Sequence, residues 1–215
     1  MQDNDNRSRR EFIGDVTAFG AAALTLAAAT APVRAAEAPP VAAPGLASPF
    51  NDVSAFENPK LEFVFEIDLN FTRTQNINNM PTGAGRGAVY LDSGTIKGPR
   101  LNGKAVPNSG GDYALFRPDD VLSFDARYML EEDDGTLIML YNRGYLWGRY
   151  ADTMTKIRAW IFENGPVVPE SDYYLRAFPT FEVEKGKHDW LMRHVIVGVG
   201  KRKEAGNTVR YYALL

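Results

Sequence analysis

The chain has 215 residues, 24 basic and 27 acidic, for a net charge of -3 at pH 7, which argues against a nucleic-acid binder with its usual basic stripe. It has no cysteine, so disulfides, thiolate nucleophiles, iron-sulfur clusters and zinc fingers are excluded and stability must come from packing. Its two histidines, His188 and His194, are six residues apart, a spacing that matches neither a helix face nor a usual zinc site, and no metal is expected.

Ser8-Arg9-Arg10-Glu11-Phe12-Ile13 precedes an uncharged, Ala-rich run from Val16 to Pro32. Paired arginines ahead of an apolar run and the small residues Val33-Arg34-Ala35 are the order of a twin-arginine signal peptide, with cleavage after Ala35 or Ala36. The run from Val16 to Ala31 has Thr17, Thr25 and Thr30 within it and falls short of the roughly 20 residues that span hydrocarbon, so no stable membrane anchor is expected after cleavage. The expected partner is the twin-arginine export machinery and the expected location the periplasm. Residues 1–35 hold four basic and four acidic side chains, so their removal leaves the net charge at -3. Residues 36–59, with Pro39, Pro40, Pro44, Pro49 and Pro59 among Ala, Ser and Asn, read as a tether, and 60–215 as one domain large enough for a full core.

From Leu61 the pattern takes the two-residue period of a half-buried strand: Leu61, Phe63, Phe65, Ile67 and Leu69 on one face, mainly acids on the other. Similar runs follow at 86–92, 112–116, 121–131, 136–142, 173–183, 191–199 and 208–214. They are separated by turn formers such as Ser93-Gly94, Pro107 to Gly111, Asp133-Asp134-Gly135 and Ala205-Gly206-Asn207. Eight short strands without helical spacers predict an all-β antiparallel sheet, closed as a barrel or folded as a sandwich. A helix is expected only around 149–162, where Met154, Ile157, Arg158 and Ile161 fall at helical spacing, with strand as the alternative.

In the run 121–131, Leu122, Phe124, Ala126, Tyr128 and Leu130 share an apolar face that belongs in a core. Its other face, with Ser123, Asp125 and Arg127, either meets solvent or lines a cavity. The glycines at 85, 87, 94, 98, 103, 110 and 111 are expected to supply positive φ at turns and bulges. A phosphate loop would need a following helix and a Lys-Ser or Lys-Thr pair. Glu131 to Gly135 reads as a solvated hairpin tip rather than a calcium loop, whose oxygens spread over a dozen residues.

Gly85-Arg86-Gly87, Gly94 to Gly103, Gly110-Gly111-Asp112-Tyr113, Asp125-Ala126-Arg127-Tyr128, Asp134-Gly135-Thr136, Asn142-Arg143-Gly144, Tyr173-Tyr174-Leu175-Arg176 with Pro179, Phe181 and Glu182, and Trp190-Leu191 with Gly198 and Gly200 occur in this order. Together, from about Leu61 to the C-terminus, they resemble the domain of unknown function 3237 family. The resemblance implies a single-domain antiparallel β-barrel of lipocalin-like (calycin-like) kind and no settled activity. The segment 145–169 is longer than that pattern and is expected to form a loop or lid of this protein's own.

Candidate site residues follow from side-chain chemistry. Asp125 and Glu182 are the candidate catalytic carboxylates. Arg86, Asp112, Arg127, Tyr128, Asn142, Tyr174, Arg176 and Trp190 are the candidate ligand-binding residues: arginines for an anion or enolate, aromatic rings for an apolar body. Inter-strand ion pairs that hold the sheet together are the competing reading for each charged residue. Two functions remain open. One is an exported barrel that binds a small, partly apolar or aromatic anion; the other is a cofactorless acid/base enzyme of isomerase, lyase, cyclase or hydratase type. Acyl-enzyme chemistry is disfavoured, because no serine sits in a Gly-Xaa-Ser-Xaa-Gly elbow. A purely architectural module would instead fill its interior with apolar side chains.

Overall fold

The structure, a computed structural model, describes residues 58–215. The twin-arginine segment, its cleavage point and nearly all of the tether lie outside the described residues. None of the helices among the described residues is long and apolar enough to cross a membrane.

Among the described residues eleven strands run β1 Leu61–Ile77, β2 Gly85–Lys97, β3 Gly103–Ala105, β4 Gly111–Asp112, β5 Leu115–Phe116, β6 Leu122–Glu132, β7 Leu137–Gly148, β8 Tyr173–Ala177, β9 Thr180–Val183, β10 Ile196–Lys203 and β11 Gly206–Leu214. One helix, α1 (Thr153–Phe162), follows β7. All pairings are antiparallel. They form a circuit: β1 pairs β2; β2 pairs β3, β4 and β5; these pair β6; and the chain of pairs continues through β7, β8, β10 and β11 back to β1. With no β1 or β7 edge left unpaired, backbone donors and acceptors are met within the sheet.

The circuit departs from the expected boundaries where a local signal had a second meaning. Ser93-Gly94 is not a turn: β2 passes straight through it, and the glycine is there because a Cβ at 94 would stand 2.9 Å from the Asp68 carbonyl oxygen of β1. Of the seven glycines expected at positive φ, only Gly103 has one. Gly110 instead lets two backbones touch, since a Cβ there would collide with the Arg127 carbonyl oxygen. The run 173–183 is two strands, split at Phe178-Pro179, because proline cannot donate to the ladder. At 189–192 the chain forms a 3-10 turn rather than a strand, and β10 begins only at Ile196.

Strand alternation sends Ile67, Leu91, Ile96, Leu130, Ile138, Leu140 and Tyr211 into one tightly packed cluster; on β1 a bulge between Phe63 and Phe65 puts Val64 and Phe65 both inside and leaves Leu61 and Phe63, expected on the inner face, exposed. A second cluster joins Leu146, Tyr173 and Leu175 of the sheet to Met154, Ile157 and Trp160 of α1. The helix forms because its apolar residues recur at helical spacing and bury against β7 and β8, while Lys156 and Arg158 stay outside. The expected lid over 145–169 is thus a helix laid against the sheet.

Candidate functional site

Between the two clusters lies a cavity of about 450 Å³, within the usual range of small-molecule sites. Leu69, Ala126, Tyr128 and Val209 of the first cluster face it from one side, and Leu146, Met154, Ile157 and Leu175 of the second from the other. The interior is therefore not filled, as an architectural module would require. The exposed residues among its lining, Thr72, Arg73, Arg158, Phe162 and Glu204, mark its mouth between the end of β1, α1 and the β10–β11 turn.

The wall is apolar except for a few groups, and register explains how three of them meet. Asp112 of β4 pairs with Ala126 of β6, which pairs on its other side with Asn142 of β7. Residues opposite one another share a face, so Asp112 and Asn142 both follow Ala126 inward, and Tyr128 is the next inward residue on β6. Arg202 enters from β10, where Ile196, Gly198 and Gly200 precede it on the same alternation. A Cβ at Gly198 would meet Ala177 and one at Gly200 would meet Leu175, so the two glycines let β8 side chains pack over β10 beside the arginine.

These groups are incompletely partnered. Asp112 Oδ1 accepts the Asp125 backbone N–H at 2.9 Å, and Oδ2 has no protein donor among the described residues. Arg202 donates through Nη1 to Asn207 Oδ1 at 2.9 Å, but its Nε is buried without an acceptor; the Tyr128 hydroxyl and Asn142 Oδ1 are likewise buried and unpartnered. Buried polar atoms normally find partners, so such a group of orphans around one void marks a place for ligand atoms.

The electrostatics agree. Burial pushes the Asp112 carboxyl up from 3.8 to about 7, against the Asp125 N–H and the charge of Arg202, which both pull it down. Burial also lowers Arg202 to about 10, opposed by the Asp112 charge. The Tyr128 hydroxyl is raised well above its ordinary value by burial, with Tyr211 and Asp112 adding to the effect. Asp112 and Arg202 influence each other's charge, and no direct ion pair joins them among the described residues.

Of the other expected site residues, Arg176 also borders the cavity and the rest are elsewhere. Asp125 and Arg127 alternate outward on β6, where they form an ion pair with Nη2 to Oδ2 at 2.8 Å, and this bond holds the Asp125 carboxyl below its ordinary value. With Glu182, Tyr141 and Arg143 they border a shallow polar groove on the outer surface, so neither candidate catalytic carboxylate faces the cavity. Arg86 is exposed and donates to the Tyr113 carbonyl. Tyr174 stacks on Trp147 with centroids 5.1 Å apart, and Arg176 lies 5.0 Å over the Tyr174 ring while donating to the Leu175 carbonyl. Trp190 is buried in the first cluster. Of the ten expected residues, Asp112, Tyr128 and Asn142 meet at the cavity by their side chains. Arg202 was missed because the expected strand ended at Val199, before the charged run 201–203; its in-phase position after Gly198 and Gly200 was the available signal.

A separate trio, Glu132, Asp134 and His188, offers one ligand atom each within 4.8 Å. Lys187 already bridges both carboxylates, at 3.4 and 3.3 Å, and His188 Nε2 lies 3.3 Å from Asp134. The hairpin tip that reads as solvated in sequence is thus partly built in, with Glu132 and His188 buried.

The fold and site define an all-β protein with a mostly apolar cavity that carries one carboxylate, Asp112, in its interior and a second, Glu204, at its mouth. The family described as Protein of unknown function (DUF3237) matches residues 59–214, and the chain belongs to it. A UPF0311 protein of Rhodopseudomonas palustris is 30% identical over 146 residues, covering 67% of this chain and 90% of that protein. Among solved structures, a protein with unknown function from Clostridium acetobutylicum is similar at TM-score 0.65 and 26% identity, covering 74% of this chain and 99% of its own. A beta-barrel like protein from Acinetobacter baumannii is similar at TM-score 0.62 and 26% identity, covering 74% and 98%.

Proposed function

We propose that the chain is an exported, lipocalin-like β-barrel whose cavity takes a small, mostly apolar molecule and whose Asp112 acts on it as a general acid or base without a cofactor. The observation that carries this reading is Asp112 itself: a carboxyl poised near neutrality in an apolar cavity, with Oδ2 free and Arg202 and Tyr128 facing the same space. A carrier needs only complementary contacts, and a charge there would weaken apolar binding unless it had work to do. An acid or base that titrates near the working pH is the most effective proton carrier. Arg73 and Arg158 at the mouth suit an anionic end of the ligand, in keeping with the small, partly apolar anion expected from sequence.

Native mass spectrometry of the protein purified from its own cells tests the site. A co-purifying small molecule should persist in Arg127→Ala, whose side chain lies outside, and disappear in Ala126→Phe, which fills the space between Asp112 and Asn142. Loss in the first variant or retention in the second contradicts the placement.

A further inference from the structure

The orphaned groups also define the kind of bond the cavity acts on. Among the residues that line it there is no Ser, Cys, Lys or His, and its two threonines, Thr72 and Thr74, have no histidine or lysine in the lining to activate them, so acyl and Schiff-base chemistry is not what the lining suits. Inside the mouth, the lining includes one carboxylate, Asp112, with a free oxygen, and two buried donors without partners, the Tyr128 hydroxyl and the Arg202 Nε–H. A carboxylate that removes a proton needs those donors only if negative charge appears on an oxygen of the same molecule.

Resting on the acid/base reading above, we propose that the substrate is a hydrophobic ketone or related carbonyl compound with a hydrogen on the carbon next to the carbonyl, and that the cavity interconverts it with its enolate. Asp112 Oδ2 takes the proton as the C–H bond breaks. The electron pair moves into a carbon-carbon double bond, and the carbonyl oxygen, now negative, is held by Tyr128 and Arg202. Asp112 then returns the proton to the same carbon, or to a conjugated one, in which case the double bond has moved; nothing is oxidised or reduced. Leu69, Phe71, Phe116, Leu122, Phe124 and Ile157 surround the hydrocarbon body. The dry wall keeps water from competing for the donors.

The test is deuterium incorporation into 2-tetralone in heavy water at neutral pH, followed by proton NMR with the full-length chain, alongside a calorimetric titration of the same ketone. The expected result is exchange about 100-fold or more above buffer, the scale of a positioned general base. Asp112→Asn, which keeps the acceptor for the Asp125 N–H, should bind the ketone and lose that acceleration. Tyr128→Phe should slow exchange by about 10-fold or more at unchanged fold. Ketone that binds but exchanges no faster than in buffer, or exchange undiminished in Asp112→Asn, overturns the carbonyl assignment and leaves the cavity reading standing. Absence of any binding defeats the cavity reading itself.

Discussion

Asp112→Asn should make the protein more stable at alkaline pH, and the size of the gain follows from the site. The folded state holds the Asp112 proton up to about pH 7, whereas the unfolded chain releases it near 3.8. Between those values the native state binds more protons, so this group's contribution is full below pH 4, falls as the pH rises, and is gone once the pH has passed through 7. At about 1.4 kcal/mol per pH unit, the whole window amounts to roughly 4 kcal/mol, and the part between pH 5 and pH 8 to roughly 3 kcal/mol. An asparagine imitates the protonated carboxyl and still accepts the Asp125 N–H, so the variant lacks this slope. Urea unfolding of both proteins at pH 5, 6, 7 and 8 reads the difference directly. The variant's lead over the wild type should widen by roughly 3 kcal/mol between pH 5 and pH 8. The carboxylates with lowered values, such as Asp68 and Asp125, lose their contributions only as the pH falls below the ordinary carboxylate range and do not distort this window. A difference that stays flat from pH 5 to pH 8 refutes the claim that Asp112 is buried and weakly paired.

Tyr128→Phe removes a buried hydroxyl that has no partner, so calorimetry should show stability unchanged or raised by about 1 kcal/mol even as any activity falls. Gly110→Ala forces β4 and β6 apart at the Arg127 carbonyl, and the variant should unfold cooperatively at markedly lower urea than wild type, or fail to accumulate as soluble protein. Arg127→Ala loses only an exposed ion pair with Asp125, so its melting temperature and its ligand binding should both match wild type. Replacing Arg9 and Arg10 together by Lys should keep the protein in the cytoplasm if twin-arginine export is correct, as fractionation and immunoblotting would show. Export unaffected by that change removes the twin-arginine route.

Alternation made much of the architecture legible in the sequence. The inward face of β6 was read correctly from Leu122, Phe124, Ala126, Tyr128 and Leu130, because a two-residue period needs no partner strand to be seen. Which carboxylate faces the cavity was harder to read. Asp125 sits in a long, regular strand and Glu182 in the short β9, and both stand out as strand charges, yet phase turns them outward. Asp112 lies in a two-residue strand whose placement is fixed by its pairings with Val89 of β2 and Ala126 of β6. The latter pairing depends on Gly110 approaching Arg127, a contact between residues 17 apart that no local pattern encodes. Arg202 was hidden differently: a charged run reads as solvent-facing, while the strand beneath it continues to Lys203 and keeps every second residue inward. The glycines followed the same lesson, since most serve backbone approach between strands and only Gly103 of the seven takes a positive φ.

The central claim is that Asp112 is a titrating carboxyl inside a cavity open to ligand. Carbon-13 NMR of the side-chain carboxyls, with Asp112→Asn to assign the resonance, measures that titration directly. The account predicts a midpoint near 7 that moves when 2-tetralone occupies the cavity. A midpoint near 4, unmoved by the ketone, would contradict it.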